Sequence, residues 1–216
     1  MSSDQNSDTH RLRADGVARL GRLADRMVVP RNAIHVRPIG GGSPGMSIEI
    51  DVAGGTLRKT CSSQAIPEEN FMFLVLWLND LVRNVERGIE TFLEAFYNEG
   101  ARELVLRDGM YDGLRANEYQ GEVTREGSFK KIDRVLGRLG LTRDQVHLSW
   151  DGERNFAQLT LHLNSGRVVV KSSSRQRSLD HNIHVLALWL QAKAKNYERG
   201  LESDVETLFA ANLLPA

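Results

Sequence analysis

Asn182, Leu188-Trp189-Leu190 and Asn196-Tyr197-Glu198-Arg199-Gly200 stand in the second half of the chain. Asn70, Leu76-Trp77-Leu78 and Asn84-Val85-Glu86-Arg87-Gly88 stand in the first half. Each residue of one set lies 112 positions after its counterpart in the other. The chain therefore writes one helical stretch twice. The spacing predicts a long helix in each half. In the first, Pro67 with Glu68 and Glu69 opens it, because proline suits the first turn and carboxylates suit the positive end of the dipole. Gly88 is placed to end it.

Reading outward, the match extends to the elements before each helix. Val17, Leu20, Leu23 and Met27 recur at helical spacing and correspond to Phe129, Ile132, Val135 and Leu139. Ile34-His35-Val36 corresponds to Val146-His147-Leu148. Ile48, Ile50 and Val52 alternate with Ser47, Glu49 and Asp51, as Leu159, Leu161 and Leu163 alternate with Thr160, His162 and Asn164. Gly54-Gly55 and Ser165-Gly166 read as hairpin turns. In this middle strand the offset is 111, which implies a one-residue difference in a loop or turn. A register slip would turn the apolar face outward. Thr91 with Glu94, and Ser203 with Glu206, have capping-box spacing for a short helix after each long one.

The predicted fold is α+β: two tandem helix-three-strand-helix repeats, with antiparallel sheets, long helices packed on them and a pseudo-two-fold relation between the copies. Residues 1–15 are polar and read as a disordered tail. Residues 16–99 form the first repeat, 100–127 a connector and 128–216 the second repeat. Leu104, Val105, Leu106, Met110 and Tyr111 leave room for an extra strand in the connector. Trp77 and Trp189, with Leu76 and Leu188, are candidates for a core between the repeats. The alternative is that each tryptophan fills the core of its own copy. Phe71 to Leu78 is apolar on all sides, which predicts a helix buried all round and central in the molecule.

The composition is 41% hydrophobic and 26% charged with zero formal net charge, ordinary for a globular protein. Neutrality argues against a surface built wholly for nucleic acid. Cys61 is the one cysteine, so neither an intramolecular disulfide nor a cysteine metal cluster is expected. The polar start lacks the apolar run of a signal peptide. Eight apolar residues at Phe71–Leu78 fall short of the roughly 20 that span a bilayer. A cytoplasmic protein without membrane contact is the expectation.

The order of elements resembles the double-stranded-RNA-binding domain. That family opens its second helix with a lysine- and alanine-rich motif. Here the place reads Ser62-Ser63-Gln64-Ala65-Ile66-Pro67-Glu68-Glu69 in one copy and Lys171-Ser172-Ser173-Ser174-Arg175-Gln176-Arg177 in the other. The likeness therefore implies topology and no RNA motif. Phe156 to Val170, with Asp180, Asn182, Ala187-Leu188 and Arg199-Gly200, resembles the N-terminal region of some phage-encoded J-domain-like proteins. This covers roughly a quarter of the chain and implies a phage or mobile-element origin. The His-Pro-Asp tripeptide of a J domain is absent, so no co-chaperone activity follows.

Candidate chemistry is sparse. Serines at 62–63 and 172–174 sit where each long helix begins, with His181 and His184 near the second cluster. Serine at such a junction is a natural cap, and no catalytic residue is expected. His181 and His184, three apart, have the spacing of half a metal site. His35 and His147 occupy matched strand positions. No HExxH, CxxC or DxD pattern accompanies either pair, and no metal or other cofactor is expected. Gly40-Gly41-Gly42 precedes Pro44 and a strand rather than the helix a phosphate loop needs. Lys171, Arg175, Arg177, Lys193 and Lys195 are the candidate anion or nucleic-acid strip, diluted by Glu198, Glu202 and Asp204. The functional expectation is a non-catalytic interaction or adaptor protein that binds a protein partner, associates with itself or joins a multi-subunit assembly. A nucleic-acid-binding protein using the basic entry to the second long helix is the alternative.

Overall fold

The β-branched and apolar residues at alternate positions pair into two separate sheets. A computed structural model describes residues 3–27, 29–52, 55–89, 119 and 121–209. Contacts divide these into two units: residues 3–83 with 199–201, and residues 84–89 with 119–198 and 202–209. The first contains α1 (Ser3–Met27), a 3-10 turn (Arg31–Ala33), β1 (Ile34–Pro38), β2 (Met46–Val52), β3 (Gly55–Cys61) and most of α2 (Pro67–Glu86). The second contains α3 (Arg125–Arg138), a 3-10 turn (Arg143–Gln145), β4 (Val146–Asp151), β5 (Phe156–His162), β6 (Val168–Ser173), α4 (Leu179–Glu198) and α5 (Val205–Leu208). Each sheet is antiparallel with its strands in chain order. The α+β class and the helix-three-strand-helix order are present in both units.

Strand register accounts for the odd offset. Ile34 pairs with Ile50 and Leu57 follows on β3, while Val146 pairs with Leu161 and Val169 follows on β6. Val146 lies 112 residues after Ile34, Leu161 lies 111 after Ile50, and Val169 lies 112 after Leu57. The first loop of the second sheet is thus one residue shorter and its hairpin turn one residue longer. The two changes cancel. Ile48, Ile50 and Leu57 in one sheet, and Leu159, Leu161 and Val169 in the other, all keep their buried face.

The long helices cover those faces. Phe71, Leu74, Val75, Trp77 and Leu78 are buried in α2, and Met72, Phe73 and Leu76 are half-buried. Every residue from His181 to Ala187 is buried in α4. Trp189 belongs to the second unit's core and meets the Phe209 ring at 5.7 Å between centroids. Trp77 lies under Lys59 of its own unit. Trp77 and Trp189 are each buried, as the reading in which each serves its own copy expects. The tryptophans fill their own units, and Leu76 and Leu188 are half-buried. An indole needs far more apolar cover than a helix seam gives, and the sheet beneath supplies it. Gly88 and Gly200 take φ of 66° and 67° after the two helices, the left-handed cap that glycine adopts without strain.

Three further expectations change. Residues 3–15 continue α1 instead of forming a disordered tail, and no proline interrupts them. The second repeat's first helix starts at Arg125, inside the expected connector. Thr124 Oγ1 caps it, accepting from Gly127 N at 3.1 Å. Asp204, rather than Ser203, caps α5 by accepting from Thr207 N at 2.7 Å. Glu206 instead accepts from Ser165 N and Oγ in the hairpin turn. The short helix expected at Thr91–Tyr97 and the strand weighed for the connector fall outside the described residues.

A buried asparagine fastens each sheet to its long helix. Asn70 Oδ1 accepts from Cys61 Sγ at 3.2 Å and Gln64 N at 3.0 Å, and its Nδ2 donates to Pro44 O and Gln64 O, each at 2.9 Å. Asn182 Oδ1 accepts from Ser173 Oγ at 2.8 Å and Gln176 N at 3.1 Å, and its Nδ2 donates to Asn155 O at 2.8 Å and Ser178 O at 3.2 Å. Neither residue is exposed to solvent. Each amide uses its full hydrogen-bonding capacity. Asn182→Leu strands the Ser173 hydroxyl and the Gln176 N–H, so it should lower unfolding free energy by about 2–3 kcal/mol. Urea unfolding followed by circular dichroism measures this, and an unchanged midpoint would deny the amide its fastening role.

Candidate functional site

The first unit carries an open furrow along α1. Its most enclosed part, about 310 Å³, is lined by Val17, Val36, Pro38, Met46 and Phe71, with Arg13 and Glu68 among its walls. More open hollows adjoin it. One is lined by His10, Arg13, Ala14, Val17 and Ala18, the other by Val17, Leu20, Gly21, Ala24, Arg31 and Ile34. These α1 residues recur at three- and four-residue spacing, so they form one helix face. Val17 is common to all three hollows and is 58% exposed. Phe71 reaches the floor because Gly16 lets it. A Cβ at Gly16 would stand 2.5 Å from Phe71 Cε1.

The second unit fills the same place. Arg125, Phe129, Leu148, Trp150, Asp180 and Ile183 stand 112 positions after Arg13, Val17, Val36, Pro38, Glu68 and Phe71. Phe129 and Trp150 lie with ring centroids 6.2 Å apart. The Arg125 guanidinium sits 5.6 Å from the Trp150 ring centroid and its Nε is 2.7 Å from Asp180 Oδ1. Trp150 pairs across the sheet with Ala157, where Pro38 faces Met46. Phe129 and a Trp150 that is still 46% exposed thus stand beside an arginine in one unit, and the other has a hollow with its arginine kept.

The predicted basic strip is not assembled. Lys171 pairs with Leu159 and shares the core-facing side of its sheet, half-buried. Lys193 is 8% exposed. Arg175 and Arg177 are exposed, and Arg177 Nε donates to His181 Nε2 at 3.1 Å. Lys195 instead acts, with Arg87 and Arg134, on Lys131. Burial first, and then these three charges, hold the Lys131 ammonium below its ordinary pKa. Strand parity was the available signal for Lys171, and the apolar neighbours Ala192 and Ala194 for Lys193.

The histidines diverge. His35 Nε2 meets Asp51 Oδ2 at 3.0 Å on the outer face of its sheet, and His147 is exposed. Both ring nitrogens of His181 are engaged, by Arg177 and by Ser178 Oγ at 2.7 Å. His184 Nδ1 lies 3.1 Å from Ser128 Oγ, a pairing across 56 residues that spacing did not reveal. Ser128 is fully buried and also donates to Thr124 O at 3.1 Å, so it is closed to any substrate. Among the described residues, Ser63 Oγ donates to Arg199 O and Ser173 to the buried asparagine. No three His, Cys, Asp or Glu side chains gather for a metal there, and no helix is long and apolar enough to cross a membrane.

Comparison with protein-family models, curated proteins and solved structures finds no match.

His184 is 9% exposed, its Nε2 has no hydrogen-bond partner among the described residues, and the Tyr119 ring lies 4.9 Å away. Burial, then Lys131, Arg87 and His181, lowers its pKa from 6.5 to about 4. A base with a depressed folded pKa binds its proton more readily when unfolded. Its contribution is therefore whole above pH 6.5 and is lost as pH falls from there through about 4. The unfolding midpoint of the native chain should fall more steeply over that window than that of His184→Gln. Parallel profiles would place the imidazole elsewhere.

Proposed function

We propose that this chain is a non-catalytic interaction protein whose first repeat binds a protein partner along α1. The observation that carries this reading is the solvent-open furrow centred on Val17, at a place where the sister repeat carries Phe129 and Trp150 instead. Exposed apolar surface costs free energy in water, and a lined concavity recovers it when covered. The burial of Ser128 in its contact with His184, and the engagement of both His181 ring nitrogens by Arg177 and Ser178, leave catalysis little support. A single, buried thiol suits a reducing cytoplasm. Membership of a larger assembly is the same chemistry with a permanent partner.

One observation favours the second reading, nucleic-acid binding. Lys131, Arg134, Lys195 and Arg87 gather on the second unit, although not as the strip from Lys171 to Lys195. Their affinity for a phosphate backbone would fall steeply with salt.

Photo-crosslinking separates the two. Benzoylphenylalanine at Val17 should give one discrete, light-dependent protein adduct in cells, and the same group at exposed Arg143 should give none. Absence of a Val17 adduct, together with salt-sensitive mobility shifts of DNA or RNA that Lys131→Glu removes, would overturn the reading in favour of nucleic acid.

A further inference from the structure

Helices α3 and α4 of the second unit lie side by side and run the same way, joined by three rungs. Arg125 Nε donates to Asp180 Oδ1 at 2.7 Å, Ser128 Oγ meets His184 Nδ1 at 3.1 Å, and Arg138 Nε donates to Glu198 Oε1 at 2.6 Å. Helical spacing puts Lys131 and Arg134 on α3, and Leu188, Gln191 and Lys195 on α4, along the stretch between the second and third rungs. Arg87, just past the end of α2, acts on Lys131 together with Arg134 and Lys195. The acids of both helices are engaged elsewhere: Asp180 and Glu198 in the end rungs, Glu126 with Lys130, and Asp133 with Arg143. Among the described residues no carboxylate pairs with Lys131, Arg134 or Lys195. Lys131 and Lys195 are half-buried, so solvent screens their repulsion less than on an open face.

His184 stands beside the same charges, with Lys131, Arg87 and His181 acting on it and the Tyr119 ring against it. Ser128 has one hydroxyl proton and gives it to Thr124 O at 3.1 Å. Its Oγ therefore accepts from His184 Nδ1–H, and the buried Nε2 keeps a lone pair with no donor among the described residues. Cations around a bare acceptor suit an anion that brings its own proton. We infer that this seam binds phosphate, free or as a terminal monoester, its acidic hydroxyl donating to His184 Nε2 and its other oxygens accepting from Lys131, Arg134 and Lys195. Sulfate and the phosphodiester of a nucleic acid carry no such proton at neutral pH. They need a protonated imidazole, and with its pKa at about 4 that costs about three powers of ten at pH 7. Free hydrogen phosphate holds a proton there, and a monoester with a second pKa of about 6 regains one at a cost of about one power of ten. The first unit has Met72 and Gly16 at the places of His184 and Ser128, so the site belongs to the second unit alone. It goes beyond the furrow reading and does not rest on it.

The test is calorimetric titration of the full chain at neutral pH and fixed ionic strength with inorganic phosphate, sulfate, a phosphoserine peptide, its serine version and a short DNA duplex. Phosphate should bind saturably with a Kd at least tenfold below that of sulfate. A phosphoserine peptide that binds more tightly than phosphate and than its serine version names a phosphorylated protein as the source, and the opposite order names a small phosphate. Lys131→Met with Arg134→Met removes the charge repulsion, so that variant should melt no lower than the native chain and should lose the binding. Arg134 is exposed, and Arg134→Glu alone should weaken binding at least tenfold without touching the fold. His184→Gln offers an amide that donates as well as accepts, so it should erase the preference for phosphate over sulfate. Equal affinity for phosphate and sulfate in the native chain, no saturation by phosphate, binding untouched by Arg134→Glu, or a preference that His184→Gln keeps would each overturn the inference. Duplex DNA that binds more tightly than phosphate and displaces it would also overturn it, by naming a nucleic-acid backbone as occupant.

Discussion

One amide side chain at the head of each long helix does what an apolar residue cannot. Asn70 and Asn182 are wholly buried, and each bonds the end of the third strand, the turn after it and a loop that leads into the middle strand. A buried polar group is tolerated only when satisfied, and satisfaction fixes direction as dispersion contacts do not. The helix is therefore aimed across its sheet at one angle. The tryptophan seven residues on lands on the same core in both units.

With the scaffold fastened in that way, the rest of each unit was free to diverge in complementary pairs. Phe71 at the furrow floor goes with Gly16, and the counterpart Ile183 goes with Ser128. Pro38 faces Met46, and Trp150 faces Ala157. Close packing forces such exchanges, because volume added on one strand must be removed from its neighbour. The result is two versions of the same place, one carrying aromatic rings that solvent still reaches and one open. The open version exposes Val17 at a point where three hollows meet.

Much of the architecture was legible because repetition needs no energy scale. The 112-residue offset, the alternating strands and the prolines and glycines at helix ends all reported elements that are present. The discordant offset of the middle strand signalled a one-residue difference in a loop or turn, and the strand register resolved it into two compensating changes. The site was legible only in part. Arg13, Val17 and Pro38 carry no motif, and their meaning comes from what Arg125, Phe129 and Trp150 do elsewhere in the chain. Lys171 and Lys193 looked like surface cations because charge is easily read as exposure. Long aliphatic stems let both lie against apolar surface.

The sequence by itself determined the doubling, the fold class and the helix on which each tryptophan rides, because periodicity and turn chemistry act over a few residues. The tertiary structure alone decided that Ser128 meets His184, that Lys171 turns inward and that Val17 borders a hollow. Those outcomes depend on which side chains arrive from distant segments to share a volume, and a local pattern carries no record of that.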